Sequence, residues 1–329
     1  MNRYREKTMN LFLLFSLLLI HSVPLISQEI DNKPSINYRL QLIPPEERKI
    51  LEGFFRRLFY HGDFSYTLLG LKPMGSIDYS LSHIRSPVFY KNPEQHLYLM
   101  ALDEKDWEVW KRYQYLFPME KYSFVKVEKD DSFGFFLVNK EKSYAIIEKN
   151  LQLFQNLTGK KVCPRMLLHM LCQGQLAYSH SSAPYSTLYH KALGLLYGYG
   201  EENVQVFLKK DQLLQILSNL PLDVKNLPSE IASYLRRIET SKMPANSPKI
   251  EVASLVFELK KLLNENHLVK GTKKDNPFLP IKRSLFFGSE EYTQTQSLIE
   301  SWDEITSLIV KIYESEIFLE TILGILTAP

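Results

Sequence analysis

The residues of this chain that could do chemistry fall into three groups. Residues 61–76 read HGDFSYTLLGLKPMGS, which sets Asp63, Lys72 and, just beyond, Asp78 around a Gly/Pro-containing connection. A lysine between acids could bind an anionic group or donate a proton. The same charges would equally suit an exposed turn that keeps a sheet edge soluble. The second group is YSHSSAPYSTLYH (178–190), rich in hydroxyls, with His180 and His190 near its ends and Ser182 between them. A Ser beside a His base is the minimum for acyl transfer, given an acid to orient the ring and donors for the oxyanion. The plainer reading is a polar loop whose Ser186 caps the next helix. The third is His169 with Cys172, an i,i+3 pair on one helix face. Two further ligands would have to come from elsewhere, so the pair reads as part of a core helix and no metal site is assigned.

Several recurrent signatures are missing from the chain. Neither GxGxxG nor GxxxxGK[ST] occurs, so no dinucleotide or P-loop phosphate cradle is indicated and no cofactor is assigned. There is no GxSxG elbow, no HExxH and no paired CxxC. Cys163 and Cys172 are the only cysteines. Nine residues apart on a helix, they would be separated by about 13 Å along its axis, too far for a disulfide.

The 329 residues are 45% hydrophobic and 12% aromatic, enough for a sizeable core in one large domain or two small ones. The N-terminus has the parts of a secretory signal peptide: basic Arg3, Arg5 and Lys7, the apolar run LFLLFSLLLI (11–20), then Pro24 and small Ser27. Residues 1–27 are therefore expected to be a signal peptide, with an uncleaved anchor as the alternative if the run extends to Ile26. Removing them takes three basic residues and one acid from a net charge of +3 and leaves +1. The basic stretch KGTKKDNPFLPIKR (270–283) is broken by Asp275 and two prolines, so it reads as a solvated loop and no nucleic-acid partner is expected.

The elements that would position the candidate residues follow from periodicity. Residues 28–45 carry three prolines and no helical period, which predicts an extended lead-in. Ile50, Leu51, Phe54, Phe55, Leu58 and Phe59 share one helical face, stopped at Gly62. Phe64, Tyr66 and Leu68 then alternate with Ser65 and Thr67, and Ile77, Tyr79 and Leu81 do the same beyond LKPM, which predicts a hairpin between Gly70 and Gly75. Further strands are expected at HLYLMA (96–101), YSFVKVE (122–128) and FGFFLVN from Phe133. A helix over 103–117 should lie between them, with Trp107 and Trp110 inward. From about residue 140 the pattern turns helical. Ile147 to Leu157 makes one stripe, Pro164 opens a helix, and HKALGLLYGYG makes another whose Gly194 and Gly198 permit close packing. Asp211 is expected to cap QLLQILSNL, and EIASYLRRIE and EVASLVFELKKLLNE follow on either side of the linker SKMPANSPK. The last segment, Leu298 to Leu326, carries a heptad-like seam broken by Glu316, which suits packing into a bundle or against a partner helix.

Two segments, FFRRLFYHGDFSYTLLGLKPMG and HKALGLLYGYGEEN, resemble blocks seen in uncharacterised exported proteins of chlamydia-like intracellular bacteria; together they cover about 36 residues. No activity is assigned to that family, so the resemblance carries over no catalytic residue. It implies an envelope or secreted location.

The expected fold is α+β: an antiparallel sheet over about residues 64–138, packed against a helix-rich remainder with a long C-terminal helix. An α+β domain is expected over 28–240, with a C-terminal helical region over 250–329 packed on it. The expected function is that of a non-enzymatic envelope or secreted interaction protein. The alternative is an exported hydrolase using His180 or His190 with a nearby hydroxyl or carboxylate. A protein partner through the C-terminal helix is the expected interaction, with no membrane span in the mature chain.

Overall fold

A computed structural model of the chain describes residues 34–60, 62–80, 104–129, 132–176, 187–218, 252–269, 286–289 and 291–329. The fold is α+β, with a three-stranded antiparallel sheet and a helix-rich remainder. The sheet comprises β1 (Met74–Ser80), β2 (Tyr122–Lys129) and β3 (Ser132–Asn139), in the order β1-β3-β2. His180, Ser182, the signal segment, HLYLMA, EIASYLRRIE, SKMPANSPK and the basic stretch 270–283 lie outside the described residues.

Strand register decides which side chains share a face. Ile77 lies opposite Phe135, and Phe124 opposite Leu137, while Val125 lies opposite Phe136. Because successive side chains point to opposite faces, Ile77, Phe124, Phe135 and Leu137 go to one side, and Met74, Phe136 and Val138 to the other. Both sets are buried, so the sheet lies between two layers of helices.

The first layer is aromatic. It is built on α1 (Ile36–Gln41), α2 (Pro45–Tyr60), α3 (Gly62–Leu68) and α4 (Glu104–Tyr113). Pro45 opens α2 with its φ already helical, and Glu46 and Glu47 sit at the positive end of the helix. Phe54 packs edge-on to Phe55, Trp107 and Phe135, with ring centroids 5.4 to 6.5 Å apart. Each such side chain contributes about 1.5–3 kcal/mol when fully buried. Arg57 of α2 pairs with Asp106 of α4, both nearly buried, which fixes the rotation of one helix on the other. The predicted extended lead-in is in part helical: Ser35 accepts a hydrogen bond from the Tyr38 amide and starts α1, and Leu40 is buried.

The largest departure from expectation is α3, a helix where a strand was predicted. Period two required Ser65 and Thr67 to face water, yet both are buried along with Phe64, Tyr66 and Leu68. The Thr67 hydroxyl donates to the Asp63 carbonyl at 2.7 Å, the i−4 bond open to a threonine in a helix. Helix α3 ends on a Schellman cap: Leu71 N–H bonds Tyr66 O at 2.8 Å, Gly70 N–H bonds Thr67 O at 3.0 Å, and Gly70 takes φ +78°. Gly75 is no turn residue but part of β1, where a side chain would overlap the Asp63 carbonyl.

The second layer holds α5 (Lys140–Lys149), α6 (Leu151–Thr158), α7 (Pro164–Cys172) and α8 (Thr187–Leu196). The stripe from Ile147 to Leu157 is divided between two helices at Asn150, and Gly159 closes the second in the left-handed conformation. Helix α9 (Glu201–Ser218) runs straight through Asp211, so that residue is no cap. Helices α8 and α9 approach closely because Gly194 faces Val204; a β-carbon there would lie 2.7 Å from the valine methyl. Helix α10 (Val252–Glu265) packs on α9, and a short ribbon of β4 (His267–Val269) with β5 (Phe286–Gly288) follows it.

The C-terminal seam forms two helices, α11 (Thr293–Tyr313) and α12 (Phe318–Thr327), divided around Glu316. Trp302, Ile309, Ile312, Leu319, Leu323 and Leu326 are all buried in the aromatic layer. Arg56 of α2 stacks on Phe318, 4.4 Å from its centroid, and donates to the Tyr313 carbonyl, which secures the bend. These six seam residues are thus used within the chain's own core, while Leu298 and Ile305 of the seam are partly buried against it.

Candidate functional site

Lys72 emerges from the cap of α3 and turns inward, with 1% of the residue exposed. Its ammonium donates to the carboxylate of Asp63, in the first turn of α3. Two rings pack against it. Tyr199, in the turn between α8 and α9, lies 5.0 Å from the ammonium, and Trp302 of α11 lies 5.4 Å from it. Tyr66 stacks on Trp302 and shares a 3.2 Å hydrogen bond with Thr306. Burial pulls the Lys72 ammonium below the usual lysine range, and the charge and hydrogen bond of Asp63 act against that fall.

The backbone geometry explains how Tyr199 arrives. Helix α8 ends on a second Schellman cap, with Tyr199 N–H on Gly194 O and Gly198 N–H on Leu195 O. Gly198 has φ +73°, and a β-carbon on it would touch Pro73 at 3.0 Å. The turn therefore lies directly against the Lys72–Pro73 backbone. This cluster joins α3, β1, α8, α9 and α11. The ammonium so placed ties α3 to the α8–α9 turn and to α11 through one ion pair and two ring contacts. Of the three residues read as a ligand loop, Asp63 and Lys72 come together; the backbone of Asp78 pairs with Gly134 within the sheet.

His190 lies near the start of the same helix, eight residues before Gly198 and so about 12 Å away along the axis. Its Nδ1 is 3.4 Å from a carboxylate oxygen of Asp211 on α9, both side chains about one-fifth to one-quarter exposed. The ring packs edge-on to Phe207 at 5.9 Å, and the Lys210 ammonium covers the same Phe207 at 4.8 Å. Burial lowers the Lys210 pKa, opposed by the Asp211 charge. A carboxylate beside an imidazole is one element of a catalytic triad.

Two other constellations have structural uses. His169 and Cys172 fall on α7, where burial pushes the Cys172 thiol up. No cluster of three His, Cys, Asp or Glu suited to a metal forms among the described residues. Ser123 and Lys126 stand at the SxxK spacing of some serine hydrolases, a match that sequence reading missed. They lie on β2, where residues three apart face opposite ways. Ser123 donates to the Cys172 carbonyl at 3.1 Å, and Lys126 pairs with Glu128 at 2.6 Å.

A cavity of about 520 Å³ opens beside the α8–α9 turn, between the end of α5 and the start of α11. Neither Lys72 nor His190 lines it. Its inner wall is aliphatic: Ile146, Leu195 and Leu298. Lys149 and Glu201, 3.7 Å apart and each more than half exposed, stand at its mouth. No helix among the described residues is long and apolar enough to cross a membrane. No protein-family model, no curated protein and no solved structure matches this chain.

Proposed function

We propose that this chain is an exported protein that works by binding in the envelope or outside the cell, and not by covalent chemistry. The export reading rests on the basic head, apolar run and small-residue end of residues 1–27. The binding reading is carried by one observation: Lys72, the lysine between acids that could have bound an anion or donated a proton, is buried against Asp63, Tyr199 and Trp302. The C-terminal seam is used within the fold, so a protein partner would engage another surface. Tyr38 on α1 and Leu42 just past its end, four residues apart and each more than half exposed, form one such face.

The pairing of His190 with Asp211 favours a second reading, a hydrolase that uses this imidazole as its base. One experiment separates the two. The purified mature chain is assayed against a panel of p-nitrophenyl esters, phosphates and glycosides, beside His190→Ala. Background rates that are the same in both proteins support binding. Turnover that is lost in His190→Ala establishes the hydrolase. Export is tested separately, by mass spectrometry of the N-terminus after expression in a bacterium. A chain beginning near residue 28 in the periplasm is expected, and a full-length cytoplasmic product overturns the export reading.

A further inference from the structure

We propose that the cavity between α5, the α8–α9 turn and α11 binds a free α-amino acid with a large apolar side chain. The volume of about 520 Å³ falls within the range of small-ligand sites and exceeds what one ordered water needs. The cavity lies where separate parts of the core meet. Leu195 belongs to the small cluster between α8 and α9, Ile146 packs against that cluster and against the second layer, and Leu298 packs against the aromatic layer. These three aliphatic side chains give an apolar wall suited to a hydrocarbon or aromatic group.

The mouth is chemically different. Lys149 and Glu201 form an exposed ion pair across 3.7 Å, wider than a hydrogen bond. An exposed pair of this kind contributes little to stability, and opening it costs correspondingly little. An α-amino acid carries its ammonium and carboxylate on a single carbon, which matches two opposite charges a few ångströms apart. Its carboxylate would meet Lys149 and its ammonium Glu201, while the side chain enters the aliphatic wall. Thr293 and Ser297, one turn apart on α11, also line the space and carry hydroxyls able to offer neutral hydrogen bonds to the head group. Gly200 keeps the entrance narrow in backbone but free of side chain; a β-carbon there would lie 2.7 Å from the Gln294 amide oxygen.

This site is independent of the export reading, because it rests on cavity and charge alone. The test is calorimetric titration of the full chain with L-leucine, L-phenylalanine, N-acetyl-L-leucine and L-leucinamide. Saturable binding of the two free amino acids is expected, with each blocked leucine about two- to fivefold weaker, since each loses one exposed ion pair. Ser297→Trp, a substitution at an exposed helix position that fills the space, should abolish binding while leaving the circular dichroism spectrum unchanged. Absence of binding by both free amino acids up to millimolar concentration overturns the proposal. Equal binding of leucine and N-acetyl-leucine overturns it as well, and the unaltered protein suffices for both results.

Discussion

One helical hairpin, α8 with α9, touches two base–carboxylate pairs of different burial. At its turn, Tyr199 closes over Lys72 and Asp63, and the ammonium is cut off from water. Along its stems, His190 meets Asp211 with both side chains partly in solvent. The residue types are comparable, a base beside a carboxylate, but burial assigns them different work. In the dry site the charges cannot be separated without a large penalty, so the pair fixes how α3, the turn and α11 fit together. At the other pair both side chains are partly exposed, and a contact of that kind contributes little to stability.

The comparison can be broken most forcefully at Asp63. Asp63→Asn leaves a lysine ammonium in the core without its counter-charge and should cost about 3 kcal/mol in urea unfolding. Lys72→Met should cost clearly less, because the Asp63 carboxylate that remains is partly exposed. If the methionine variant proves the less stable of the two, the clamp is misassigned. Gly75→Ala comes next. Its methyl would overlap the Asp63 carbonyl at the base of the same cluster, and overpacking of this kind costs roughly 1–3 kcal/mol.

The pH dependence sharpens the contrast further. An unfolded lysine holds its proton up to about pH 10.5, whereas folded Lys72 releases it earlier. Between those two values the unfolded state binds more protons, so this residue makes stability rise with pH; Lys72→Met should remove that rise. Tyr122 acts in the opposite sense. Burial pushes its phenol from 10.0 up to about 12, and its hydroxyl donates to the Leu68 carbonyl at 2.7 Å. Its contribution is complete below pH 10 and is lost as pH rises to about 12, so Tyr122→Phe should flatten that alkaline loss. The smallest effect belongs to the wet pair: His190→Ala or Asp211→Asn should shift stability by no more than about 0.5–1 kcal/mol.

These two pairs also show how much the sequence could reveal. The strands β2 and β3 were legible from alternation, and α2, α4, α7 and α10 from period and caps, because their buried and exposed faces differ in polarity. Helix α3 was not legible. Core surrounds it, so Ser65 and Thr67 are buried with their apolar neighbours and the pattern imitates a strand. Lys72 was legible as a lysine between acids, and Asp63 was within reach as its partner. Tyr199 and Trp302 could not be foreseen, since they are joined to Lys72 only by the docking of α8 and α11 on the sheet. Asp211 was misread as a cap for a related reason. An acid before an apolar run is a good start signal, but here the run continues the same helix and the carboxylate faces α8.

The central claim, that Lys72 is a buried clamp and not a reactive amine, is tested most directly by lysine labelling. The native chain is treated with formaldehyde and a borohydride reductant for increasing times and mapped by mass spectrometry. Lys49 and Lys149, whose side chains are more than two-thirds exposed, should be methylated early, while Lys72 stays unmodified until the protein is unfolded. Methylation of Lys72 in the folded protein at the rate of those two lysines would contradict the account.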